Sequence, residues 1–186
     1  MPEIPARWTK ATVYADMWVD PEDDPRNTDG TSPDGELETY RDYLHSYRQT
    51  ILMKCADLTP EQLAMRSVPP SDLSLLGLLR HLAEVERDWR DWIIDGEAEP
   101  HIYGGPDADF DDVRGDAAQV TEALQNLEYQ QAKTDELLES FTDLGKRVGE
   151  SEIAVREIHV HRIEEYARHA GHADLLRECI DGRVRQ

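Results

Sequence analysis

The chain has 186 residues, 39% hydrophobic, 32% charged and 7% aromatic, with a formal net charge of -20. That length suits one domain, which buries roughly 70% of its unfolded surface and needs no staple to fold. So negative a chain repels nucleic acid and anionic membranes, so neither is expected as a partner; the charge serves solubility and concentrates cations nearby.

Two cysteines, Cys55 and Cys179, have no CxxC partner and fall in helical patterns, where a thiol behaves as a small apolar residue. Free thiols in a reducing compartment are expected; a Cys55–Cys179 disulfide is the alternative. The opening MPEIPARWTK lacks the apolar core of a secretory signal. No stretch approaches the roughly 20 apolar residues of a membrane span. The expected location is the cytoplasm.

Residues 1–35 read as an irregular arm. Pro2, Pro5, Pro21, Pro25 and Pro33 break helices, and DPEDDPRNTDGTSPDG is turn chemistry. Trp8, Tyr14 and Trp18 are expected to pin this arm to the domain. A first helix is predicted from about Glu36 to Leu58. Its apolar stripe is Leu37, Tyr40, Leu44, Tyr47, Ile51, Cys55 and Leu58. Thr59-Pro60-Glu61-Gln62 then has the form of a capping box.

A second long helix starts near Ser74, turns Leu75, Leu78, Leu79, Leu82, Val85, Trp89 and Ile93 inward, and stops at Asp95-Gly96. Residues 96–115 read as a long loop, of a length often found in sites. The third helix spans about Asp116 to Phe141, with Val120, Leu124, Leu127, Leu137, Leu138 and Phe141 inward. The fourth runs from about Glu152 to Cys179 and stops at Asp181-Gly182. No repeat and no strand pattern stands out. The fold class is all-α, an up-and-down four-helix bundle over residues 36–182.

The fourth helix carries the chemistry. At about 100° per residue, His161, Glu165, His169 and His172 fall within an arc of roughly 80°. That arc borders the apolar face of Val155, Tyr166, Ala170 and Ala173. A lone carboxylate beside a core costs several kcal/mol, and a cation shared with imidazoles removes that cost. Glu165 and His169 stack at i and i+4 and can reach one ion at ~2 Å. His81, on the flank of the second helix's apolar stripe, supplies the third ligand, which leaves further positions for water or substrate.

A lone histidine on an apolar flank also fits a satisfied core residue, and Glu-x3-His arises by chance on helices. From the residues alone both readings stand. His159, His161 and His172 are alternative ligands or hydrogen-bonding supports for them. Gly171 inside the helix is read as a close helix crossing; room for a ligand is the other reading.

Two segments resemble the DinB-like bundle metalloproteins. LLGLLRHLAEVE, Leu75 to Glu86, is similar to that family's second-helix signature, whose histidine is a metal ligand. EEYARHAGHADLLRE, Glu164 to Glu178, is similar to the signature of its last helix. Many members carry two histidines four apart there, whereas this chain has Glu165 first. The departure resembles the branch that includes mycothiol-dependent maleylpyruvate isomerase, with its two-His, one-Glu set. The resemblance runs from about Glu36 onward. It implies a divalent metal, zinc or nickel, on His81, Glu165 and His169, and a possible homodimer, to which the aromatics of the first 20 positions can contribute.

Three functions follow. The first is a metal-dependent enzyme using a low-molecular-weight thiol such as mycothiol, an S-transferase or a thiol-dependent isomerase. Trp89, Trp92 and the 96–115 loop are expected to shape its pocket, with plain core the alternative for Trp89. The second is a metal-dependent hydrolase with Glu164, Glu86 or His172 as base. The third is a non-catalytic, metal-stabilised bundle or binding module.

Overall fold

A computed structural model describes residues 5–27, 31–93, 98–105 and 107–185. Four long helices dominate: α1 (Glu36–Cys55), α3 (Leu75–Ile93), α5 (Ala117–Glu139) and α6 (Val155–Asp181). Between them lie the short helices α2 (Pro60–Leu63) and α4 (Ala108–Asp111), and the strands β1 (Arg147–Val148) and β2 (Ile153–Ala154). Helix α3 packs mainly on α5, α1 mainly on α6, and α3 also meets α6 and α1. Among the described residues, no helix is long and apolar enough to cross a membrane.

Local chemistry explains most boundaries. Gln62 N–H donates to Thr59 Oγ1 and Thr59 N–H to Gln62 Oε1, so the expected capping box starts α2. Gly77 N–H donates to Ser74 Oγ at the head of α3, and Gln119 N–H to Asp116 Oδ1 at the head of α5. Gly182 ends α6 with φ 81°. A β-carbon there would meet the Ala6 carbonyl at 2.1 Å, so this turn also lets the arm pass.

Several expectations are corrected. Helix α1 ends at Cys55, three residues early, because Asp57 takes φ 64°. The loop at 96–115 contains α4. Leu124 is exposed, because Ala123, Leu127, Gln130, Thr134 and Leu138 form the buried stripe of α5. Two two-residue strands pair antiparallel, Arg147 with Ala154 and Val148 with Ile153, too short to leave a periodic signal. They delay α6 to Val155. A β-carbon on Gly171 would meet nothing within 4 Å, so no helix crosses there. The expected stop at Asp95–Gly96 lies outside the described residues, as do Pro2 and Pro106.

The arm is tied down by cations and backbone. Trp18 is 2% exposed, with Lys54 Nζ 3.6 Å and the Arg183 guanidinium 3.8 Å from its ring centre. Trp8 N–H donates to the Gly182 carbonyl, Val184 N–H donates back, and the Trp8 indole donates to the Asp181 carbonyl. Tyr14 stays exposed and pins nothing to the core. Cys55 and Cys179 are both free thiols.

The interior holds charge as well as apolar surface. Leucines of α3, all nearly inaccessible, form the core with Leu44, Ile51, Leu127, Tyr166 and Ala173. Beside them Glu86 is 0% exposed. It accepts from Arg48 of α1 at 2.9 Å, and from Arg162 at 3.0 Å and the Tyr166 hydroxyl at 2.9 Å, both of α6. Asp135 of α5 accepts from the same two arginines at 2.7 Å each. Removing one member of such a network strands the others in low dielectric. Glu86→Ala is expected to lower the unfolding free energy by about 3–5 kcal/mol, read as a lower urea midpoint.

Candidate metal centre

Helix α3 brings His81, and helix α6 brings Glu165 and His169, to one point. Their ligand atoms all lie within 4.8 Å of one another. His169 Nε2 is 2.9 Å and His81 Nε2 is 3.2 Å from the same oxygen, Glu165 Oε1. Donors ~2.1 Å from a tetrahedral ion sit about 3.4 Å apart, so small rotations of these side chains suffice to enclose one.

Each imidazole is also braced from behind. His81 Nδ1–H donates to Asp109 Oδ2 at 2.8 Å. His169 Nδ1 lies 3.2 Å from His172 Nδ1, one ring donating to the other. The Nε2 atoms are thereby turned toward Glu165. This is how ligating histidines are usually held, with the distal ring nitrogen fixed by a carboxylate or another partner. The donor set, two imidazoles and a carboxylate, suits a borderline divalent cation.

The electrostatics agree. Burial works against the charged form of His81, but the hydrogen bonds to Asp109 and Glu165 prevail and raise its pKa to about 9. Hydrogen bonds from His169 and His81 hold the Glu165 carboxyl well below the usual carboxylate range. Two carboxylates thus flank His81, and without an ion a protonated imidazole supplies the positive charge between them.

The segment after α3 builds the back wall. Arg80, beside His81, donates to the carbonyls of Ala108 and Asp112 at 2.8 Å each, and its guanidinium lies 4.2 Å from the Tyr103 ring centre. Glu84 accepts from Tyr103 N–H at 3.0 Å. These contacts place α4 so that Asp109 meets His81 and the Phe110 ring lies 4.9 Å from the imidazole. Gly77 makes room: a β-carbon there would sit 3.0 Å from Phe110.

Sequence reasoning did not single out Asp109 or Phe110. Asp109 sits in an aspartate-rich stretch with no periodicity, and only the loop's length hinted at a role. The other histidines separate. His172 backs His169. His161 lies beside Glu164 and against the Trp89 ring, outside the three-ligand cluster. His159 is buried and stacks on Tyr40 with ring centres 5.6 Å apart. Glu86 is locked in its ion pairs and cannot serve as a general base. Burial pushes the Cys55 thiol up to about 12, which leaves it inert.

The sequence pattern of the mycothiol-S-transferase family matches residues 39–182. The chain belongs to that family. The match omits the arm and takes in all of the centre, including Asp109 and His172. No curated protein and no solved structure matches the chain.

His159 gives a pH signature separate from the centre. Desolvation first, then the Arg162 and Arg41 charges, lower its pKa to about 4. The unfolded chain therefore binds a proton that the folded chain refuses. This contribution to stability is full above about pH 6.5 and is lost progressively from there down to about pH 4. Replacing His159 by Phe is expected to flatten the slope of urea-unfolding stability between those pH values. An unchanged slope would contradict it.

Proposed function

We propose that this protein is a metal-dependent S-transferase that uses a low-molecular-weight thiol, with the family's mycothiol as the first choice. The ion is zinc or nickel, on His81, Glu165 and His169. The four long helices then act as an up-and-down bundle that clasps the ion between α3 and α6. The single observation that carries this reading is the pair of imidazoles, braced from behind, that present Nε2 to one Glu165 oxygen. The two free thiols fit a reducing cytoplasm.

A bound divalent ion supplies a Lewis acid that lowers the thiol's pKa. The chain's own groups fix the geometry and charge. Glu165 and Asp109 hold positive charge at the centre, and His172 keeps His169 in one orientation. Burial and the neighbouring His169 lower the pKa of His172, which favours its neutral form. Three protein ligands leave a position for sulfur. In the overall exchange the sulfur's electron pair forms a bond to the electrophile's carbon. The leaving group departs with the electrons of its own bond, and the thiol proton passes to water. The family match favours this chemistry over hydrolysis.

Elemental analysis of the purified protein tests the centre. One divalent ion per chain is expected in the wild type, and almost none in His81→Ala, Glu165→Ala or His169→Ala. Comparable content in all four would refute the ligand assignment. Asp109→Asn is expected to weaken metal affinity about 10–100-fold while the helical circular dichroism stays unchanged. Metal-loaded protein should consume mycothiol with an electrophile such as a haloarene or a halogenated bimane. A rate no higher than that of the His81→Ala variant would exclude the transferase reading.

A further inference from the structure

The arm and the tail that follows α6 close a cavity of about 180 Å³ against α1 and α6. Arg7 of the arm, Arg183 and Arg185 of the tail and Lys54 of α1 line it, with Asp174 and Glu178 of α6. Over the whole chain acids outnumber Lys and Arg by 40 to 20, yet here four cations face two carboxylates. We infer that this cavity binds a phosphate group, carried by a small molecule or as the free ion. Arg7, Arg183 and Arg185 lie outside the family's matched residues, 39–182, so the site goes beyond what the family pattern covers and is independent of the transferase reading.

The pairing inside the cavity leaves two positive charges over. Glu178 takes Arg7 at 3.0 Å, and Asp174 takes Lys54 at 2.7 Å. Arg185 is exposed and has no ion pair among the described residues. Among the described carboxylates Arg183 ion-pairs only with Asp57, at 3.7 Å, and Asp57 already serves Lys10. The Arg183 guanidinium lies instead against the rings of Trp8 and Trp18, 5.3 Å and 3.8 Å from their centres. An aromatic face offers a quadrupole and no counter-charge. The cations report the same excess. Desolvation first, then the Arg177 charge, lower the pKa of Arg183 to about 10. Desolvation lowers that of Lys54 too, and the Arg26 and Arg183 charges add to it. Cations that depress one another in this way are short of negative charge.

The groups divide into those that touch a ligand and those that attract it. Arg7 and Arg185 are exposed and reach a bound oxyanion. Lys54 and Arg183, both 2% exposed, supply their field from behind without touching it. Lys54 Nζ also donates to the Arg185 carbonyl at 2.6 Å, which holds that residue at the cavity with φ 89°, a value rare outside glycine. Two surplus charges match the roughly -1.5 to -2 of a phosphate group near pH 7, whereas a carboxylate would leave one over. Guanidinium forks also suit phosphate oxygens, which they bind in pairs. The cavity is smaller than the ~300 Å³ at which whole-ligand sites begin, which fits one group of a ligand. A longer polyanion such as nucleic acid would meet the field of the -20 chain around it.

Isothermal titration calorimetry tests this on metal-loaded protein, with inorganic phosphate and with glycerol phosphate in chloride of matched ionic strength. One saturable site per chain is expected. Arg185→Ala should weaken it about tenfold or more, and Arg185→Lys less, with the helical circular dichroism unchanged in both. His81→Ala should bind as the wild type does. Phosphate should also raise the melting temperature of the wild type more than that of Arg185→Ala. Binding of glycerol phosphate would assign the site to a phosphomonoester, and binding of inorganic phosphate alone would assign it to the free ion. Heats that do not saturate with either probe would overturn the inference. Binding lost in His81→Ala but kept in Arg185→Ala would also overturn it, by placing the phosphate on the metal.

Discussion

Glu86 is the constraint on which the other features rest. A carboxylate with no solvent exposure, in the middle of α3, is tolerable only if cations and donors surround it, since an uncompensated buried charge costs several kcal/mol. Arg48 supplies one cation from α1; Arg162 supplies another and Tyr166 a hydroxyl from α6; Asp135 balances the arginines from α5. Each long helix contributes, so each has its rotation about its own axis fixed. Apolar packing of leucines would tolerate a slipped register, whereas this network does not.

That fixed rotation creates the centre. On α6, Arg162 and Tyr166 flank Glu165, so satisfying Glu86 also sets the direction in which Glu165 leaves the helix. On α3, His81 lies five residues before Glu86, and the same contact sets its direction. The closing step is local. Arg80 grips the carbonyls at the two ends of α4, and Asp109 in that turn then fixes the His81 ring. Neighbouring residues of one motif thus divide the work: Gly77 admits Phe110, Arg80 holds the loop, and His81 faces Glu165.

The parts legible in the sequence are those governed by helical period. The stripes of α1 and α3, the Thr59 capping box and the stacking of Glu165 on His169 follow from spacings of three and four, whereas the pairing of His81 with them comes from the family resemblance. What escaped has physical reasons. Asp109 acts across 28 residues from His81, through a turn too short to show a period. Arg48, Glu86 and Arg162 are buried charges, and charges on helices read as wet faces. In α5 the small and polar Ala123, Gln130 and Thr134 are buried while Leu124 is not, because Gln130 and Thr134 bond to Arg90 inside the core. The hairpin has strands of two residues, too few for alternation. The cost of Gly171 within a helix says nothing about what lies beside it, and the space there is open.

The angular arithmetic of α6 explains how one helix serves three roles. Arg162 and Tyr166, four apart, face inward to Glu86. Glu165 and His169, also four apart, face the side where α3 brings His81. His161, Glu164 and Arg168 occupy a third side, with His161 and Glu164 three apart and Glu164 and Arg168 four. Residues 164, 165 and 166 therefore point in succession to the His161–Trp89 side, the centre and the core. A shift of one residue in α6 would exchange all three at once, placing Glu164 or Tyr166 where Glu165 must stand. The buried ion network opposes that shift, because Arg162 and Tyr166 would then leave Glu86 with Arg48 alone. The same interaction that makes the interior costly to build thus keeps Glu165 and His169 in register with His81.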